Sequence, residues 1–161
     1  MTSEKISLKP DKGVLAVMAV LAASISGQIA TSSELGWYAG LLKPAFNPPN
    51  WVFAPAWIAL YLLLAFAVWQ IARNPSSRAR SVALTLVFLQ LALNAAWSWM
   101  FFAAHSPLLG LVNIVPQFLL VAATFVAFLR LDKIAGLALA PLTAWVGFAS
   151  VLNASVWWLT G

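Results

Sequence analysis

The stretch Trp51–Ala72, WVFAPAWIALYLLLAFAVWQIA, contains no Asp, Glu, Lys, Arg or His. A helix needs about 20 such residues to cross the hydrocarbon core of a bilayer, so this segment alone is long enough to span it. Moving outward, four more stretches share the property: Val14–Thr31 before it, and Ser81–Ala104, Leu108–Leu129 and Ile134–Leu159 after it. A soluble protein also buries apolar helices, but it must coat them with polar sequence. This 161-residue chain is 63% hydrophobic and 8% charged, with a mean hydropathy of +0.91, which leaves too little for such a coat. The expected fold is therefore all-α: one transmembrane domain of five helices over residues 14–161, preceded by a polar tail over residues 1–13 that includes Pro10 and Gly13. The first stretch also has a signal-peptide pattern, with Lys5, Lys9 and Lys12 ahead of an apolar run ending near Ala22–Gly27; we read it as a span.

The nine basic residues suggest an anionic partner until they are placed on this map. Lys5, Lys9 and Lys12 precede the first span, Arg73, Arg78 and Arg80 join the second to the third, and Arg130 and Lys133 join the fourth to the fifth. Only Lys43 falls on the other side. Charge is thus topology rather than nucleic-acid binding, and in a bacterial cell membrane it puts the N-terminus in the cytoplasm and the C-terminus outside. The bias does not orient a protein sent elsewhere, such as an outer membrane. The absence of cysteine excludes disulfides, thiolate catalysis and Cys-ligated metals.

Most connections are tight turns: Asn74-Pro75-Ser76-Ser77, His105-Ser106-Pro107 and Leu131-Asp132-Lys133. Such turns make sequential helices antiparallel neighbours in one bundle. The first loop, Ser32–Asn50, is longer. It carries Trp37, Tyr38, Leu41, Leu42 and Phe46 beside Pro44, Pro48 and Pro49, a composition suited to a stiff lid over the bundle that is non-helical in its C-terminal half. No internal repeat is visible, which counts against inverted-repeat transporters.

With no charge at depth, chemistry falls to aromatics and neutral polar groups, and helical spacing says which of them share a face. Gln90, Asn94 and Trp97 form one stripe, Trp57 and Tyr61 a second, and Trp145, Ala149 and Asn153 a third. Ser24 and Gln28 of the first span, whose stripe continues to Thr31, and Asn113 and Gln117 of the fourth, split by Pro116, read as helix-to-helix glue. Trp51, Trp69, Trp157 and Trp158 sit at span ends, where tryptophan anchors to the interface. Trp57, Trp97 and Trp145 lie deeper and share faces with Tyr61, Asn94 and Asn153. They predict a mid-depth pocket walled by indoles, suited to a flat apolar ligand such as a tetrapyrrole or sterol. Lys43 either meets ligand carboxylates or is a solvated loop lysine, and both readings stand. The lone His105 has no evident acidic partner, so hydrolytic triads and metal sites are not expected, and its use as an axial haem ligand is a minor alternative. Conventional acid–base enzymology and proton-coupled pumping both lack titratable groups in the spans.

Residues 37–57, WYAGLLKPAFNPPNWVFAPAW, followed by Leu60-Tyr61, closely resemble the signature of the TspO/MBR family, the tryptophan-rich sensory proteins related to the mitochondrial translocator protein or peripheral benzodiazepine receptor. Gln90–Ser98, Pro141–Trp145 and Leu152-Asn153 resemble the family's other landmarks, and the likeness covers nearly the whole chain. The resemblance implies a five-helix bundle, often a homodimer, that binds protoporphyrin IX, haem and synthetic benzodiazepine-site ligands beneath the first loop. By matching motif positions, Trp37, Tyr38, Pro48, Trp57, Asn94, Trp97, Trp145, Ala149 and Asn153 contribute to that pocket. The residue stripes add Lys43, Tyr61 and Gln90. Some bacterial members are reported to promote light-dependent porphyrin breakdown, which would carry to Trp57 and Trp145 as its tryptophans. One departure stands: the cholesterol-recognition pattern of animal members is missing, because Leu152–Gly161 has neither Tyr nor a basic residue. The resulting expectation is a membrane porphyrin-binding protein in tetrapyrrole handling or stress- and oxygen-linked sensing, with no obligatory cofactor and no metal. A photodegrading enzyme and a transporter of porphyrins or other lipophiles are the rivals.

Overall fold

The computed structural model describes residues 11–161; the expected tail therefore lies largely outside the described residues, with Lys5, Lys9 and Pro10 in that part. The elements are α1 (Lys12–Ser32), α2 (Leu35–Ala39), α3 (Asn50–Arg73), α4 (Arg78–Ser98) continuing through a π-helical turn at Trp99–Ala103, α5 (Pro107–Leu131), α6 (Lys133–Ala138) and α7 (Ala140–Thr160). Among the described residues, five spans are long and apolar enough to cross a membrane: α1, α3, α4 with its π turn, α5, and α6 with α7. The chain is a multi-pass α-helical membrane protein.

Local chemistry sets the helix ends. Side-chain oxygens of Asp11, Ser77, Ser106 and Asp132 accept bonds from the free amides of the first turns of α1, α4, α5 and α6. Pro49 precedes α3, which starts at Asn50, the boundary expected from the Pro48-Pro49 pair. The π turn closes with the Ala104 amide on the Trp99 carbonyl at 2.9 Å. His105 then turns left-handed, φ 50°, while the amides of His105 and Ser106 bond the carbonyls of Phe102 and Phe101. This is a Schellman ending with histidine where glycine is usual. It leaves both Phe101 and Phe102 buried.

The fifth span, Lys133–Thr160, is interrupted at Leu139, because Pro141 has no N–H to give to the carbonyl a turn earlier and its ring crowds that carbonyl. One expectation needs correction: not all sequential spans are close neighbours. The main pairings are α4 with α5, α5 with α7, and α1 with both α3 and α4, so α1 lies between α3 and α4. The bundle closes where α6 packs on α3. The core below the first loop is aliphatic, built from residues such as Val20, Leu64, Val68, Ile71, Val87, Val121 and Val146 around Phe128. Met18, Ile25, Leu62, Val112, Leu119 and Val151 are exposed apolar side chains on the spans, as lipid-facing positions should be.

Candidate ligand cavity

Between the aliphatic core and the first loop lies a cavity of about 230 Å³. From α3, Asn50, Phe53, Ala54, Trp57 and Tyr61 recur on one face and form one wall. The opposite side comes from Asn94, Trp97 and Ser98 of α4, with Phe101 of the π turn. Ala149, Leu152, Asn153 and Val156 of α7 form the back, and Leu35 and Tyr38 of α2 close the end under the first loop. Ser24, Gly27, Gln28 and Thr31 of α1 complete the ring. Of the lining residues, Gln28 and Ser32 of α1, Leu35 of α2, and Asn50 and Ala54 of α3 are exposed, which places the mouth between α1 and α3 with α2 at its edge.

Three cross-helix hydrogen bonds brace the walls. The Trp97 indole donates to Asn153 Oδ1 at 2.9 Å, and Asn153 Nδ2 donates to the Pro107 carbonyl at 2.8 Å, tying α4, α7 and the start of α5 together. The Tyr61 hydroxyl donates to Asn94 Oδ1 at 3.1 Å, while the buried Asn94 Nδ2 has no acceptor. The rings are ordered against each other: Trp97 stacks on Phe101 (centroids 5.0 Å apart, planes 20° apart), and Trp57 lies tilted on Tyr61 at 5.5 Å. Gly27 permits the close approach of α1 to α4, since a Cβ there would stand 3.2 Å from Ser98 Oγ.

Of the sequence-predicted positions, Tyr38, Trp57, Tyr61, Asn94, Trp97, Ala149 and Asn153 come together on the cavity wall. The others stand apart from it. Trp145 packs edge-on behind Trp57 (6.3 Å, 82°) and against Phe53 and Phe148. Gln90 is buried one turn below Asn94, with neither amide atom partnered. Trp37 stacks on the His105 ring at 4.7 Å and meets Phe101 edge-on. Lys43 folds back onto its own loop, donating to the Ala39 and Leu41 carbonyls over the Tyr38 ring. Pro48 is half-buried, its carbonyl accepting from Asn47 Nδ2.

The glue reading of Ser24 and Gln28 does not describe their position, because α1 turns that stripe, with Thr31, to the cavity. Phe53, Phe101, Leu152 and Val156 are wall residues the sequence reading missed; each lies one turn from a stripe residue, Phe53 from Trp57, Phe101 from Trp97, Leu152 from Ala149 and Val156 from Asn153, and that continuation would have flagged them. His105 does have an acidic partner: its Nε2 lies 2.7 Å from Glu34 Oε2, brought from the first loop. Tyr38 donates to Asn47 Oδ1 at 3.1 Å, and burial pushes its phenol above the ordinary value of 10.0, the Asn47 bond opposing that only in part. No cluster capable of holding a metal occurs among the described residues.

A membrane bundle of five spans with an aromatic, amide-studded cavity at one end defines a class, the polytopic α-helical membrane proteins with an internal aromatic cavity. Comparison with known proteins narrows it. The TspO/MBR family model matches residues 14–159. The chain is 40% identical to a tryptophan-rich protein TspO of Archaeoglobus fulgidus over 152 residues, covering 92% of this chain and 96% of the relative. It is 38% identical to the TspO of Chlorobaculum tepidum over 138 residues (84% and 87%), and 38% identical to the translocator protein of Sus scrofa over 148 residues (88% and 88%). The chain belongs to the TspO/MBR family.

Proposed function

We propose that the cavity binds porphyrins, protoporphyrin IX or haem, and that the chain works in tetrapyrrole handling or in stress- and oxygen-linked sensing. The observation that carries this reading is the pairing of ring faces with amides. Trp57 and Trp97 offer flat, polarizable walls, and the unpartnered Asn94 Nδ2 is a donor without an acceptor beside them. A ligand wider than the enclosed space extends through the mouth between α1 and α3, under the first loop, which acts as its lid. Lys43, released from the Ala39 and Leu41 carbonyls, is the cation on that side for a ligand carboxylate. The same reading places the protein in a bacterial cell membrane as a homodimer. Its basic end, with Lys12, Arg73, Arg78, Arg80, Arg130 and Lys133, would face the cytoplasm.

The test is quenching of tryptophan emission by protoporphyrin IX in detergent. Saturable quenching that loses at least about tenfold in affinity in Trp57→Ala, and less in Trp145→Ala, supports the cavity; about 1.4 kcal/mol of lost stacking corresponds to that factor. No saturable binding in the wild type sinks the reading. Light-dependent breakdown of the bound porphyrin is the second reading, favoured by Trp145 standing edge-on at 6.3 Å behind the wall residue Trp57. It requires a product spectrum under light that disappears in Trp57→Phe or Trp145→Phe. A carrier, by contrast, would move porphyrin across liposomes without forming product.

A further inference from the structure

At the end of the bundle opposite the cavity, an open cleft runs between α1, α3 and α4, lined by Lys12, Leu15, Ala16, Ala72, Arg80, Leu84 and Phe88. The order of these residues along their helices carries meaning. On α4, Arg80, Leu84 and Phe88 recur every four residues and so lie on one face, spanning about 12 Å from the helix start inward. On α1, Lys12, Leu15 and Ala16 repeat the arrangement over the first turn. Both rows are basic at the end of the helix and apolar towards the membrane interior. That is the polarity of a phospholipid, with its phosphate at the interface and its chain at depth.

The two cations differ in what they have free. The Arg80 guanidinium is held in place: Nη1 donates to the Asn74 and Ala72 carbonyls and Nη2 to Ser76 Oγ, so it closes the end of α3 and brings fixed positive charge. Lys12 is exposed and forms no ion pair or side-chain hydrogen bond among the described residues, so none of these takes up its three N–H donors. The nearest carboxylate in sequence, Asp11, caps α1, its Oδ1 accepting from the Gly13 amide at 3.0 Å. Arg73 lies over the Trp69 ring, and Arg78 begins α4, which adds to the positive field at this end.

We propose that this cleft is a binding site for one anionic phospholipid. Its phosphate sits at Lys12 against the charge of Arg80, and one acyl chain lies along Leu15, Ala16, Leu84 and Phe88. A free phosphate ion would satisfy the cations but gives no role to the apolar floor. A zwitterionic lipid fits the floor, but its own ammonium offsets the attraction at the mouth.

Native mass spectrometry of the purified chain, titrated with phosphatidylglycerol or phosphatidylcholine of matched chains, reads the first lipid bound. The expected result is a first phosphatidylglycerol bound more tightly than phosphatidylcholine. Lys12→Gln should weaken it about fivefold, the equivalent of about 1 kcal/mol for one basic side chain near a membrane surface. Lys43→Gln, at the other end of the bundle, should leave it unchanged. Leu15→Trp, at an exposed position on α1, fills the apolar floor without touching Arg80 and should also weaken it. Inorganic phosphate at equal concentration should not displace it. Equal binding of the two lipids, equal effects of Lys12→Gln and Lys43→Gln, or full displacement by inorganic phosphate would each overturn the proposal. Arg80→Ala is avoided because it also opens the end of α3.

Discussion

Asn153 is the residue through which α4, α5 and α7 are tied beside the cavity, and replacing it by alanine tests that reading directly. The side chain is 2% exposed, accepts from the Trp97 indole at 2.9 Å and donates to the Pro107 carbonyl at 2.8 Å. Pro107 is the first residue of α5, so its carbonyl keeps its place in the helical ladder when Asn153 is lost. The Trp97 N–H has no such reserve. Leaving a buried donor unpaired costs about 1–3 kcal/mol in water-soluble cores. Between membrane helices the measured bonds average about 0.6 kcal/mol and reach about 1.7, because the unfolded chain in lipid also finds partners. Asn153→Ala should therefore destabilise the bundle by about 1–2 kcal/mol.

Trp97→Phe removes the same N–H while retaining a ring to stack on Phe101. The appropriate assay is equilibrium unfolding in mixed micelles, titrated with a denaturing detergent, for both single variants and the double variant. If the bond is real, the double variant loses less than the sum, with a coupling of about 0.6–1.7 kcal/mol. Additivity within about 0.3 kcal/mol would refute the claim that Asn153 acts through Trp97, and would reduce Asn153 to a buried amide serving α5 alone.

Gly136→Ala should be among the most damaging small changes, because its Cβ would stand 2.6 Å from Leu129 Cα, and backbone must move to admit it. A loss of about 1–3 kcal/mol is expected in the same unfolding assay, against no loss for Gly36→Ala, which meets nothing within 4 Å. The raised pKa of Tyr38 has a definite sign: the folded chain holds the phenol proton more tightly than the unfolded one. Its contribution is therefore complete below pH 10 and falls as pH rises through the raised value. Tyr38→Phe should flatten part of the alkaline limb of a stability–pH profile above pH 10. Glu34→Gln removes the carboxylate from the pair with His105, but His105 is exposed and Glu34 partly so, and thermal unfolding should show a loss below about 1 kcal/mol. Trp37→Ala, which removes contacts with both His105 and Phe101, should cost more than Glu34→Gln in that measurement.

Much of the site was legible as helical stripes. Trp57 with Tyr61, Asn94 with Trp97, and Ala149 with Asn153 reach one cavity because residues three or four apart share a face. The same rule failed at its margins. Trp145 belongs to the stripe of Ala149 and Asn153, yet α7 carries it past the cavity to the back of Trp57. Gln90 lies one turn from Asn94, where the helices have already closed on the aliphatic core. Periodicity gives the azimuth of a side chain on its own helix. It does not give the depth at which the neighbouring helices converge.

The spans themselves depended on sequence alone, since bilayer thickness and the cost of burying charge impose a length and a composition on each helix whatever it packs against. The side of the bundle that is basic, the stop at Pro48-Pro49 and the non-helical stretch after Gly40 were settled in the same way, by local charge and proline geometry. Tertiary structure decided the rest. It set α1 between α3 and α4, turning Ser24 and Gln28 from expected glue into cavity wall, and it brought Glu34 to His105 across 71 residues. Those choices rest on which helix surfaces fit one another, a property of pairs of surfaces that no single stretch of sequence contains.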